Sequence, residues 1–95
     1  MTDRWFKLDV HGAFLRRTDL SHASLRDANL TRADFTGALL RGVDLHGAVM
    51  QGTILRGADL TDAKNLTLDQ LRQAIIDETT LLPSYLSLAE AKSAA

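Results

Sequence analysis

Residues 13–62 read AFLRR-TDLSH-ASLRD-ANLTR-ADFTG-ALLRG-VDLHG-AVMQG-TILRG-ADLTD, ten consecutive blocks of five. The third place of every block is large and apolar: Leu15, Leu20, Leu25, Leu30, Phe35, Leu40, Leu45, Met50, Leu55 and Leu60. The first place is small or β-branched, from Ala13 and Thr18 to Thr53 and Ala58, and all six glycines of the chain share one phase of the period. No ordinary element can use such a repeat. On an α-helix a step of five turns about 500°, so successive leucines drift by roughly 140° and form no stripe. On a continuous strand an odd step sends them to opposite faces. The chain must therefore turn a corner within every block. An extended triplet points the small and the large residue inward and the one between them outward, and the last two residues make the corner. With corners near 90°, four blocks close a square coil of about 20 residues, and coils stack about 4.8 Å apart by strand-like pairing.

The expected fold class is an all-β solenoid, a right-handed quadrilateral β-helix of about 2.5–3 coils with a short C-terminal α-helical cap. Residues 20 apart then stack inside it as Leu15-Phe35-Leu55, Leu20-Leu40-Leu60, Leu25-Leu45 and Leu30-Met50. The blocks Ala28-Asn29-Leu30-Thr31-Arg32, Ala33-Asp34-Phe35-Thr36-Gly37 and Ala58-Asp59-Leu60-Thr61-Asp62 resemble the A(D/N)LXX motif of the pentapeptide-repeat proteins. The resemblance covers roughly Ala13 to Ala63 and implies the right-handed quadrilateral β-helix of that family, in agreement with the corner argument. Asn65-Leu66-Thr67-Leu68-Asp69-Gln70-Leu71, with Thr80-Leu81-Leu82-Pro83 after it, is similar to the closing segment of many family members.

The spacing divides the chain into an N-terminal capping segment (1–12), the repeat (13–65), a capping helix (66–77) and a tail (78–95) in which Ser87-Leu88-Ala89-Glu90 starts a second short helix. An open coil exposes core and unpaired backbone, so each end needs a cap. Trp5, Phe6, Leu8 and Val10 supply apolar area for the first. For the second, Thr67-Leu68-Asp69-Gln70 has the form of a capping box, and Leu68, Leu71 and Ile75 recur at helical spacing, which predicts a helix from about Leu68 to Ile76. Glycine fills the second corner place from Gly37 to Gly57, whereas Arg17, His22, Asp27 and Arg32 fill it in the first coil. Positive φ favours glycine, so type II corners are expected mainly in the second half and other corner types in the first.

At 95 residues, with 45% apolar and 24% charged side chains, the chain makes one small domain. It has no cysteine, which excludes disulfides and thiolate metal sites. No apolar run approaches the roughly 20 residues of a membrane span and Met1-Thr2-Asp3-Arg4-Trp5 lacks a signal core, so a cytoplasmic location is expected. A formal net charge of −1 predicts no overall attraction to nucleic acid or anionic lipid.

No catalytic constellation emerges. His11, His22 and His46 fall on different phases and give no shared metal site. Aspartates 19, 34, 44 and 59 occupy the motif's own polar place, and no serine elbow or phosphate loop is present. The chain is therefore read as a non-enzyme with no catalytic, metal or cofactor-binding residues and no small-molecule substrate. Its expected role is a scaffold or protein-interaction module. The candidate contact residues are Phe14, Leu39, Val49 and Ile54, which break the outward polar rule, Arg16, Arg41 and Arg56 on the walls, and Tyr85, Leu86 and Leu88 in the tail. The partner is an unidentified protein or a second copy meeting at a coil end or through the tail; nucleic acid and membrane are disfavoured. The resemblance carries an alternative, since some family members mimic duplex DNA and bind DNA gyrase. The repeat, however, holds Asp19, Asp27, Asp34, Asp44, Asp59 and Asp62 against Arg16, Arg17, Arg26, Arg32, Arg41, Arg56 and Lys64, which is close to neutral.

Overall fold

The computed structural model describes residues 8–92. Parallel bridges join Asp9 to Asn29, Phe14 to Asp34, Asp19 to Leu39, Ser24 to Asp44, Asn29 to Val49, Asp34 to Ile54, Leu39 to Asp59 and Asp44 to Lys64, each pair 20 residues apart. A pairing partner that recurs every five residues at that constant offset requires a four-sided coil. We number its walls by the outward residues: wall one carries Phe14, Asp34 and Ile54, wall two Asp19, Leu39 and Asp59, wall three Ser24, Asp44 and Lys64, and wall four Asp9, Asn29 and Val49. Every rung but that of Asp44 and Lys64 repeats three bonds. On wall one Leu15 N–H donates to Asp34 O (2.8 Å), Asp34 N–H to Ala13 O (2.9 Å) and Arg17 N–H to Thr36 O (2.9 Å).

The stack is filled as the period demands. Leu25, Leu30, Phe35, Leu40, Leu45, Met50, Leu55 and Leu60 are buried, each removal from water contributing about 1.5–3 kcal/mol. Leu15 and Leu20, at the first coil, are only half-buried. Trp5 and Phe6 lie outside the described residues; Val10 packs against the core, and Leu8 is half exposed.

The corners differ from the sequence expectation. Positive φ occurs at Arg17 (58°), His22 (67°), Asp27 (59°), Arg32 (60°) and Asp62 (61°) as well as at the six glycines, so the first coil turns by the same geometry as the second. In each corner the core residue's carbonyl accepts from the N–H three places on, as Leu15 O does from Thr18 and Phe35 O from Ala38. Within the corners positive φ falls on the second residue, the type II pattern, and outside them on Asn65, where the repeat ends. Left-handed backbone costs an L-residue about 1–2 kcal/mol, and here the rungs on both sides of the corner impose it. Glycine in the second coil answers a further constraint. A Cβ on Gly42 would lie 2.5 Å from the His22 ring and one on Gly52 3.2 Å from Arg32 Cγ, while the Asp27 carboxylate occupies the place above Gly47. First-coil corner side chains thus cover the glycines stacked beneath them.

Helix α1 (Leu68–Gln73) has the expected capping box: Gln70 N–H donates to Thr67 Oγ1 (3.1 Å) and Thr67 N–H to Gln70 Oε1 (2.9 Å). It ends three residues short of the predicted Ile76. Ala74 turns extended, and Ile75 rejoins wall one, donating to Thr53 O (2.7 Å) and accepting from Leu55 N–H (2.8 Å). Coil pairing and the packing of Ile76 on the core outweigh another helical turn. Leu81 then pairs with Asp59 on wall two, and α2 (Leu88–Lys92) packs against α1.

Candidate functional site

The outward aspartates and asparagine hold the corners. Asp34 Oδ1 accepts from the backbone N–H of Thr36 (3.0 Å) and from its hydroxyl (2.6 Å), and Asn29 and Asp59 do the same for Thr31 and Thr61. Asp9, Asp19 and Asp44 accept from the N–H two residues on. The N–H satisfied is that of the first corner residue, which is why the motif wants Asp or Asn two places earlier. Arg16, Arg41 and Arg56, expected on the walls, occupy this first corner place, as does Arg26. Three of them reach a carboxylate 18 residues on, in the next coil: Arg16 to Asp34 (3.8 Å), Arg26 to Asp44 (2.9 Å) and Arg41 to Asp59 (2.5 Å).

These contacts set the ionisation. The Asn65 amide, then Arg26, then the His46 N–H bring the Asp44 carboxyl down to about 2. The Thr36 hydroxyl and N–H lower Asp34, and the Ser21 N–H lowers Asp19. At Asp59 burial pushes upward, but the Thr61 hydroxyl and Arg41 together prevail and the net direction is down. All four are held as carboxylates by hydrogen bonds, the opposite of what a general acid at neutral pH requires. Among the described residues no group of three His, Asp or Glu side chains is placed to hold a metal ion, and no helix is long and apolar enough to cross a membrane.

The candidate contact residues separate into three groups. Phe14 is 86% exposed, Leu39 39% and Val49 48%, whereas Ile54 is half-buried, with Ile75 paired to it from the next coil. Of Val49 and Ile54, consecutive outward residues of one coil, only Val49 therefore stays exposed. Arg41 is committed to Asp59 and Arg16 to Asp34; Arg56 is exposed at the corner that Arg16 and Arg17 share, between walls one and two. In the tail, Leu86 packs on the core and Leu88 is half-buried. The Tyr85 ring is more than half exposed, but its hydroxyl donates to Ala63 O (2.9 Å) and accepts from Leu66 N–H (3.1 Å). Tyr85 also lines an open cleft of about 500 Å³ with Asp62, Lys64, Asn65 and Pro83.

Leu81, which the sequence reading left with the tail, is 54% exposed on wall two below Leu39 and Asp59. Phe14, Leu39, Ile75 and Leu81 thus stand on two adjacent walls on either side of the Arg16–Arg17–Arg56 corner. The period alone could not place Leu81 there, because its offset from Asp59 is 22 rather than 20.

Residues 9–37 and 28–64 match the profile of the pentapeptide repeats family, in eight copies. Among solved structures, a pentapeptide repeat protein from the cyanobacterium Cyanothece 51142 is 30% identical, with a TM-score of 0.71 over 81% of this chain and 52% of that one. The chain thus spans about half the length of that relative. A pentapeptide repeat protein from Nostoc Pcc 7120 is 28% identical over 90% of this chain and 82% of that one, with a TM-score of 0.38. Another, from the thylakoid lumen of Arabidopsis thaliana, is 28% identical over 63% and 52%, with a TM-score of 0.33. No curated protein matches the chain.

Proposed function

The chain belongs to the pentapeptide-repeat family, and from that premise we propose that it is a non-enzymatic protein-binding module that presents walls one and two to a protein partner. The observation that carries this reading is Leu39. It stands, 39% exposed, at a place where the neighbouring blocks on the same wall have Asp19 and Asp59, and Phe14 and Leu81 extend the apolar area on either side. A carboxylate at that place would make a corner hydrogen bond, as its neighbours do. Leucine forgoes it and still leaves apolar surface in water, a use explained by contact with another surface. The shared corner adds Arg16, Arg17 and Arg56, a residue type enriched at interfaces.

The DNA-mimic alternative has less support, because Arg16, Arg26 and Arg41 neutralise aspartates on three of the four walls. Affinity capture from native extract with the wild-type chain and with Leu39→Asp/Leu81→Asp tests the proposal. Leu39→Asp restores the motif residue and leaves the fold intact, as circular dichroism will check. A partner retained by the wild type and lost with the variant supports the lateral surface; equal retention by both sinks it. Inhibition of gyrase supercoiling at micromolar protein would favour the mimic instead.

A further inference from the structure

Six arginines stand at the corners of the repeat, and carboxylates are shared among them unevenly. Arg16, Arg26 and Arg41 each reach the outward aspartate of the next rung. For Arg56 that outward place is filled by Ile75, which pairs with Ile54 on wall one and is 37% exposed. Arg17 and Arg32 occupy second corner places, and among the described residues neither they nor Arg56 form an ion pair. Arg17 and Arg56 share one corner, between walls one and two, where Arg17 N–H donates to Thr36 O (2.9 Å) and Gly37 N–H to Arg56 O (2.9 Å). Arg17 Cγ lies 3.4 Å from where a Cβ on Gly37 would be, so its stem is laid down over the second coil, on the side of the stack. An open hollow of about 360 Å³ lies against Arg16 and Arg17. The acids around this corner already have donors. Asp34 accepts from Thr36, and Asp77, which precedes Glu78 in the turn beneath, accepts from the Thr79 N–H (2.9 Å) and hydroxyl (2.6 Å).

We propose that the protein partner is an acidic, amphipathic segment, with carboxylates over Arg17 and Arg56 and apolar side chains on Leu39 and Leu81. This assignment rests on the lateral surface of the proposed function and names what binds there. Charge complementarity sets the sign. An external carboxylate completes at Arg56 the pair that an aspartate completes for Arg16, Arg26 and Arg41. The spacing suits a helix laid along the stack. Leu39 and Leu81 are two rungs apart on wall two, about 10 Å, and side chains seven apart on a helix span about 10.5 Å. Carboxylates on the flank of that helix then face the corner. A nucleic-acid backbone fits less well, because Asp19 and Asp59 stand on wall two and Asp62 at its far corner.

Selection of phage-displayed random peptides of about 16 residues on the immobilised full chain tests this, since that length spans the walls as a helix. Recovered sequences should combine Asp or Glu with apolar residues. A labelled peptide from that pool should bind Arg17→Glu/Arg56→Glu about tenfold more weakly than the wild type. Arg32→Glu, which reverses an unpaired arginine at another corner, should leave the affinity unchanged. Raising sodium chloride from about 50 to 500 mM should weaken binding several-fold. Thermal unfolding checks that each variant is folded. The assignment is overturned if no sequence is recovered, if the recovered peptides are not enriched in Asp and Glu, or if Arg17→Glu/Arg56→Glu binds them as well as the wild type does. Binding lost in Leu39→Asp/Leu81→Asp but kept in Arg17→Glu/Arg56→Glu would sink the acidic partner and leave the lateral surface standing. Peptides indifferent to both variants would sink the surface as well. A DNA duplex bound more tightly than the peptides, and released by Arg17→Glu/Arg56→Glu, would overturn the assignment in favour of nucleic acid.

Discussion

At the last full coil Ala48 and Ala63 receive hydrogen bonds from an amide and a phenol in place of another strand, and Leu66 and Leu71 complete the core. At the first coil Leu15 and Leu20 are half-buried, and Phe14, Asp19 and Ser24 keep edge groups that no described residue satisfies. The repeat itself is the same at both ends, down to the positive φ of its corners. What differs is the material added to it. A period of five specifies how each block sits on the next and carries no instruction to stop, so closure must come from residues that break the period. At the C-terminal end the break is legible: Asn65 takes the place of a leucine, turns left-handed at φ 62°, and gives its amide to Asp44 while Leu66 goes into the core.

The sharpest test of this contrast truncates one leucine at each end. Leu71→Ala empties a fully buried site and should cost about 2–5 kcal/mol in urea unfolding, whereas Leu15→Ala, at a half-buried site, should cost less than half as much. Equal losses would mean that the first coil is as well closed as the last. Next in size, Gln70→Ala removes the side-chain half of the capping box and the donor to Leu45 O (2.8 Å) and Ala48 O, for an expected loss of about 2–3 kcal/mol. Tyr85→Phe removes only the hydroxyl and should cost about 1–2 kcal/mol.

The corners give a smaller pair. Gly12→Ala meets open space and bears only the left-handed strain of about 1 kcal/mol. Gly42→Ala must also displace the His22 ring and should cost about 2 kcal/mol, a difference that His22→Ala should erase. The smallest effect is the one common to both ends. Asp9 and Asp19 in the first coil and Asp59 and Asp77 near the last are all held below the ordinary carboxylate range, as is Asp44 at about 2. The unfolded chain binds protons first as pH falls, so this contribution is complete above about pH 5 and is lost between about pH 4 and 2. Unfolding midpoints should hold from pH 7 to 5 and drop below 4, the ranking of Leu15→Ala and Leu71→Ala staying the same. In Asp44→Asn the acid slope should be shallower.

Most of the fold was legible because the signal repeats: ten registers agree on what points inward, and the bridges follow at the offset of 20. The corner conformation of the first coil was misread. Arg17 and Arg32 are poor left-handed residues by intrinsic preference, His22 and Asp27 visit that region more readily but less than glycine, and at all four the rungs on both sides of the corner decide φ. The candidate surface was legible in part. Phe14, Leu39 and Val49 declare themselves by departing from the polar place, but Ile54 does so too and is half-buried, because Ile75 returns beneath it after a helix shorter than its apolar spacing suggests. Nothing local marks Gln70 or Tyr85 as the replacements for missing backbone partners.

The sequence by itself therefore determined the coil, its register and its core, since these follow from interactions repeated every five and every 20 residues. The tertiary structure alone decided how the coil ends and which apolar groups remain outside. Those outcomes depend on single side chains meeting backbone groups 19 to 25 positions away, where no repetition exists to reveal the contact.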